Sequence, residues 1–200
     1  MNYLTGSSLA YSLNEFLEDS EAVVRNHSAE SETLLHLKPI LERLIQTPSS
    51  VPSDAFASRQ DRFAMNLLHM PKDKAYSVIG GVWMPGQTTP IHDHLTWALI
   101  GIFDGEEREA LYRRTDNRTN PKFAKLEKVS EQTNGPGHVT VLGQAGIHRV
   151  DNVSEKVATS IHVYGRDIGR AERHSYDPLT GEIGRFVSGY CNVLRDNEPY

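Results

Sequence analysis

The strongest constraint on this chain's fold is a change of hydrophobic period partway along it. Between Leu9 and Val24 the apolar residues fall at Leu13, Phe16, Leu17, Val23 and Val24, a helical spacing. A second stripe follows at Leu34, Leu37, Leu41, Leu44 and Ile45. Ser28 is placed to cap that second helix, since its hydroxyl can accept from an unpaired backbone N–H. Glu30 and Glu32 then lie at its positive end. Pro39 interrupts the stripe and predicts a kink or a restart. Both helices read as a cap packed on the main domain, with His27 and His36 at its surface or in its packing. After the turn-rich connector Thr47 to Asp54 the pattern switches to short strands. They are expected at Tyr76–Ile79, Leu95–Phe103, Ala110–Arg113, Phe123–Val129, Val139–Leu142, His148–Val153 and Val157–Tyr164. Gly, Pro, Asn and Asp clusters separate them, as in Asn134-Gly135-Pro136-Gly137. Many short strands with regular turns predict an all-β sandwich or barrel. The expected organisation is one structural domain: a helical segment over 1–58 packed on a β-rich barrel over 59–200.

Charge and cysteine content narrow the partners. The 200 residues carry 21 Lys plus Arg against 26 Asp plus Glu, for a net charge of -5 and no basic block. That argues against a nucleic-acid or anionic-membrane surface. Cys191 is the single cysteine, so no intramolecular disulfide can form, which fits a reducing compartment. The longest apolar run, Trp97 to Phe103, is too short to span a bilayer. The opening MNYLTGSSLA lacks the basic and apolar regions of a signal peptide. A cytoplasmic protein, monomer or homo-oligomer, is the expectation.

Two stretches carry the chemistry: Pro90-Ile91-His92-Asp93-His94 and Gly146-Ile147-His148. On extended backbone, H-x-H puts two imidazoles on one face, because strand side chains alternate. A third His from a separate strand completes a facial nitrogen set. Imidazole suits Fe, Zn, Cu and Ni, and three nitrogens leave positions open for substrate or oxygen. Alone, H-x-H is equally the pattern of unrelated polar residues on a half-exposed strand. Ser160, His162 and Tyr164 also share one strand face, opposite Ile161 and Val163. Buried, they would have to hydrogen-bond, and a linked chain satisfies all three. A purely structural polar ladder would look the same.

Gly86-x5-His92-x-His94 followed by Gly105 resembles the first signature of the cupin superfamily. Gly137, His148 and Asn152 resemble the second, with Gly143 where that pattern has Pro and Ala145 where it has Gly. The resemblance implies a mainly β fold, a cupin double-stranded β-helix (jelly-roll) barrel with an N-terminal helical cap. Common cupins supply a fourth ligand, a Glu four residues after the second His; here that position is Ala98. Three neutral imidazoles would leave three adjacent coordination sites, enough for a bidentate thiolate substrate and dioxygen together. Such three-His sites resemble the thiol dioxygenases, the family of cysteine dioxygenase and 3-mercaptopropionate dioxygenase. The likeness runs from about Phe63 to Asn192 and includes Ser160-x-His162-x-Tyr164, which matches that family's hydrogen-bond chain. It implies Fe(2+) held by His92, His94 and His148, a small thiol carboxylic acid bound through its thiolate, and O2 as co-substrate. Both oxygen atoms would end on sulfur, giving a sulfinate. Tyr164, oriented by His162 and Ser160, would donate a hydrogen bond to bound water, oxygen or the substrate carboxylate.

Further positions sort the subfamily. In animal cysteine dioxygenases a Cys crosslinks to the tyrosine; its position is Ala98 here, so Tyr164 should stay an unmodified phenol. Those enzymes bind the carboxylate with an Arg, and the 3-mercaptopropionate type has Gln, at the position of Met65. Met65 departs from both; facing the pocket it would favour a different or bulkier thiol, and otherwise it is core. Bacterial relatives carry an Arg nine residues beyond the tyrosine, matched by Arg173. Arg173 is thus the expected carboxylate partner, with a surface ion pair near Arg166, Arg170 and Glu172 as the plainer reading. His69, His138 and His174 have no partner in the motifs and read as bystanders, and Cys191 lies outside both signatures. The same three His would serve another metal-dependent cupin dioxygenase or an isomerase; a non-enzymatic cupin that binds a small molecule is the reading from another class.

Overall fold

The structure is a computed structural model that describes residues 11–47 and 50–193. The N-terminal decapeptide with Leu9, and Pro48 and Ser49 of the connector, lie outside the described residues. Helix α1 spans Leu13–Asn26 and opens on a capping box, in which Ser12 and Glu15 satisfy each other's backbone N–H. Helix α2 spans Glu30–Ile45. Its N-cap is Ala29 and not the expected Ser28, with no side-chain cap bond. Thr33 instead donates its hydroxyl to the His27 and Ala29 carbonyls, tying the turn to the helix. The helix runs through Pro39 without a restart. The carbonyl that loses its partner belongs to Leu35, which is 69% exposed, so water can satisfy it.

Eleven strands follow: β1 (Ala64–His69), β2 (Ser77–Trp83), β3 (Ile91–Asp93), β4 (Ala98–Asp104), β5 (Glu107–Arg114), β6 (Leu126–Asn134), β7 (Val139–Leu142), β8 (Ile147–Asp151), β9 (Ala158–Tyr164), β10 (Arg173–Tyr176) and β11 (Ile183–Phe186). They form a five-stranded sheet, β1-β2-β9-β4-β7, and a six-stranded sheet, β11-β10-β3-β8-β5-β6, antiparallel throughout. This is the double-stranded β-helix of a cupin, with two helices before the barrel.

The helices cover the outside of the five-stranded sheet. Phe16, Leu37, Leu41 and Leu44 form one buried cluster with Val78, Leu99, Ile161 and Val163 of the sheet. Burying these side chains stabilises the cap by about 1.5–3 kcal/mol each relative to exposure. Their strand neighbours Ser160, His162 and Tyr164 therefore point the other way, into the barrel, and all are buried. The pair Gly80-Gly81 inside β2 allows two close approaches. At Gly80 a Cβ would collide with the Ala55 carbonyl of the short 3-10 turn Ser53–Phe56, and at Gly81 it would stand 2.8 Å from His162 Nε2. No helix among the described residues is long and apolar enough to cross a membrane.

Candidate metal centre

Register alone brings two of the three histidines together. His92 on β3 pairs directly with His148 on β8, and residues opposite one another in an antiparallel pair share a face. His94 follows just beyond β3, at a turn where Leu95 takes a φ of 54°. The ligand nitrogens of His92, His94 and His148 all lie within 4.8 Å of one another, and all three residues are buried. Burial, then mutual repulsion with His148, holds the pKa of His92 and His94 well below the usual imidazole value. The rings are thus neutral, the form that ligates a metal.

Each flank of the set is braced. His92 Nδ1 is 3.0 Å from the Pro90 carbonyl, and His148 Nδ1 is 2.7 Å from Glu109 Oε1. With Nδ1 engaged on both, the Nε2 atoms remain for a ligand. His94 Nδ1 is buried and has no partner among the described residues. Glu109 is itself buried and accepts from the Thr140 hydroxyl at 2.6 Å and from Asn134 Nδ2 at 3.4 Å. Burial pushes its pKa up, but the bond and charge of His148 and the Thr140 hydroxyl outweigh that, leaving it below the usual value. An ionised Glu109 fixes His148 as the Nδ1–H tautomer, the common outer support of a metal-bound imidazole. Three convergent imidazoles, one braced through Nδ1 by a carboxylate, fit a first-row transition metal.

Asp93, between the two histidines, faces away from them and anchors β3 to β10. It accepts the His174 backbone N–H at 2.9 Å, lies 2.8 Å from His174 Nδ1 and accepts the Tyr176 hydroxyl at 2.8 Å. His174 is therefore no bystander: its ring partner sits inside the first motif. His69 and His138 do not line the cavity.

The opposite wall comes from β9. Ser160 Oγ is 2.7 Å from His162 Nε2, and His162 Nδ1 is 2.8 Å from the Tyr164 hydroxyl. The rings of Tyr164 and His94 lie 5.0 Å apart, centroid to centroid. Burial holds His162 neutral, with its pKa pushed down to about 3, and raises that of Tyr164, so the phenol keeps its proton. Ala98 pairs with Tyr164 in register, so the side chain beside the phenol is a methyl group. Glu107 is buried behind this chain, with Oε1 unpartnered. Burial pushes its pKa up to about 8, against the pull of Ser160 and Trp83.

These walls enclose a cavity of about 410 Å³, bordered by His92, His148, His162, Tyr164, Arg173 and Met65 among others. Arg173 is not on the surface: it is 3% exposed and makes no ion pair among the described residues. It donates from Nη2 to Ser188 Oγ at 2.7 Å, stands 4.6 Å over the Phe186 ring and leaves Nε buried without a partner. Cys191, outside both signatures, also borders the cavity. Its Sγ accepts the Met65 N–H at 3.4 Å and its own N–H donates to the Met65 carbonyl at 2.8 Å. Sequence reasoning did not single out Glu109, Glu107 or Asp93. The one available signal was Glu107-x-Glu109-x-Leu111, an alternation with acids on the face that Leu111 shares.

Fold and site together define a cupin with three histidines placed to hold a metal ion. Residues 54–176 match the family described as cysteine dioxygenase type I, and the chain belongs to that family. It is accordingly a metal-dependent cupin dioxygenase, an oxidoreductase. Similar solved structures include a conserved protein of Klebsiella pneumoniae subsp. pneumoniae with a double-stranded β-helix domain. It is 13% identical, covering 59% of this chain and 90% of that one, with a TM-score of 0.43. A cupin superfamily protein from Desulfitobacterium hafniense is 12% identical, covering 58% of this chain and 90% of that one, with a TM-score of 0.41. A hydroquinone 1,2-dioxygenase in complex with Cd2+ is 12% identical, covering 56% of this chain and 69% of its own, with a TM-score of 0.43.

Proposed function

We propose that the chain is an Fe(II) thiol dioxygenase that converts a small thiol carboxylic acid, 3-mercaptopropionate-like or cysteine, and O2 to the sulfinate. The observation that carries this reading is Arg173, a buried guanidinium without a carboxylate partner among the described residues, on the same cavity as His92, His148 and Tyr164. An unpaired buried charge is expensive, and a carboxylate ligand relieves it with a bidentate, charge-assisted contact. The reaction needs no external reductant: RSH and O2 balance to RSO2H.

Iron held by His92, His94 and His148 would supply the oxygen activation and a site for the thiolate. The chain's own groups bind and orient. Arg173 takes the carboxylate and so sets the reach of the thiol towards the histidines. Tyr164 keeps its proton and donates a hydrogen bond to the reacting groups. Neutral His162, bonded to Ser160, fixes the direction of that donation without adding charge. Phe63, Trp83 and Phe186 give the cavity wall an apolar face. The lone Cys191 and a reduced thiol substrate suit the cytoplasm.

The test is oxygen uptake by the iron-loaded protein with 3-mercaptopropionate, cysteine and the carboxylate-free thiol cysteamine, with sulfinate detected by mass spectrometry. Acid thiols should be consumed with one sulfinate per O2. Equal rates on cysteamine and the acid thiols would sink the carboxylate assignment.

A further inference from the structure

The cavity exceeds the substrate it is built around, and the surplus has a definite chemistry. A volume of about 410 Å³ lies in the range of sites that bury ligands of many more non-hydrogen atoms than a small thiol acid. 3-Mercaptopropionate and dioxygen together bring about eight such atoms, far from filling it. The rest of the lining is mainly apolar in area, through Phe63, Met65, Trp83, Val150, Phe186 and Val187, with the polar Arg62, Thr88, Thr89, Ser175 and Ser188 beside them. Phe63 stacks on the buried Trp83 with ring centroids 3.9 Å apart, so the indole backs the Phe63 ring that borders the cavity. Met65, 6% exposed, adds a pliable thioether and neither charge nor donor.

A small thiol acid would leave this wall facing water, whereas an apolar substituent would displace that water. We infer that the preferred substrate is a mercapto acid bearing an apolar side group of about five to seven carbons, aryl or branched alkyl. Its carboxylate lies on Arg173, its sulfur faces the three histidines, and its side group packs on Met65, Phe63 and Trp83. The inference rests on the thiol dioxygenase reading and narrows its substrate. Each methylene moved out of water is worth roughly fourfold in affinity.

Two measurements test it. Calorimetry on the full chain, kept anaerobic, compares propionate with 3-phenylpropionate, which share the carboxylate and lack the thiol. The phenyl acid should bind at least about thirtyfold more tightly, and Met65→Gln should narrow that ratio. Oxygen uptake by the iron-loaded protein then compares 3-mercaptopropionate with 2-benzyl-3-mercaptopropionate. The benzyl compound should show kcat/KM higher by at least about thirtyfold, carried mostly by KM. Equal or weaker binding and turnover of the aryl compounds overturns the inference while leaving the thiol dioxygenase standing. Failure to oxidise either thiol overturns that reading, and the inference falls with it.

Discussion

The two sheets of the barrel brace their functional side chains by opposite means. The six-stranded sheet carries His92 and His148 and leads into His94, and supports them with buried acids. Glu109 sits on His148, and Asp93 staples β3 to β10. The five-stranded sheet carries Ser160, His162 and Tyr164, linked to one another and held neutral by burial. A metal rewards nearby negative charge, because it fixes tautomers and raises ligand basicity. A hydrogen-bond chain that must keep its protons at neutral pH is served by burial, which penalises the charged forms. Even the acid behind it, Glu107, has its pKa pushed up to about 8.

Breaking the metal side should have the largest effect. His148→Ala should lose iron retention by more than about a hundredfold, beyond the range of outer-partner losses, with thermal unfolding still cooperative. Metal analysis after gel filtration checks it; full iron content would remove His148 from the ligand set. Glu109→Gln keeps the shape and removes the charge, so iron affinity should fall about ten- to a hundredfold. A chelator competition that shows no change would place the Glu109–His148 bond outside the metal's support.

Arg173→Ala should lower kcat/KM for acid thiols by about ten- to a hundredfold, the worth of about 1.5–3 kcal/mol for a charge-assisted bond. Cysteamine should be nearly unaffected, which separates lost charge from lost fold. On the neutral side, Tyr164→Phe removes one donor and should slow turnover about tenfold with iron content unchanged. Peptide mapping should find Tyr164 unmodified, since Ala98 beside it in register offers no sulfur.

The smallest effect concerns Glu107 and pH. Its carboxyl binds a proton more tightly folded than unfolded, so between about pH 4.5 and about pH 8 the folded state holds more protons and stability falls as pH rises. Glu107→Gln removes that dependence. The Tm of the variant relative to the unsubstituted protein should therefore be several degrees higher at pH 9 than at pH 5. Parallel Tm curves across that window would mean that Glu107 is ionised and partnered after all.

The metal trio and the β9 chain were legible because their spacing is that of alternating strand faces. Most strands were legible too: Val139–Leu142 stands as expected, and Val157–Tyr164 to within a residue. What escaped follows one pattern. β10 reads Arg173-His174-Ser175-Tyr176, with no apolar alternation, because Arg173 and Ser175 face the cavity while His174 and Tyr176 hold Asp93. β5 begins at Glu107 rather than Ala110 because its inward positions there are acids. β2 continues past Ile79 through Gly80-Gly81, a pair that resembles a turn but is spaced for close packing. Hydrophobic periodicity detects faces buried in oil, whereas those of β10 and β5 are buried in polar contacts.

The sheet order also bears on synthesis. All three imidazoles have been translated once His148 emerges, and β8 can pair with β3 at once. The other side of β3 stays an open edge until β10 arrives, with Asp93 lacking Tyr176 and His174. Such an edge is a template for pairing with another chain. Ribosomes that stall, or proteases that clip, between His148 and Arg173 would release polypeptides with ligands in hand and an unsealed seam beside them. For this barrel, β10 is the strand that closes that seam.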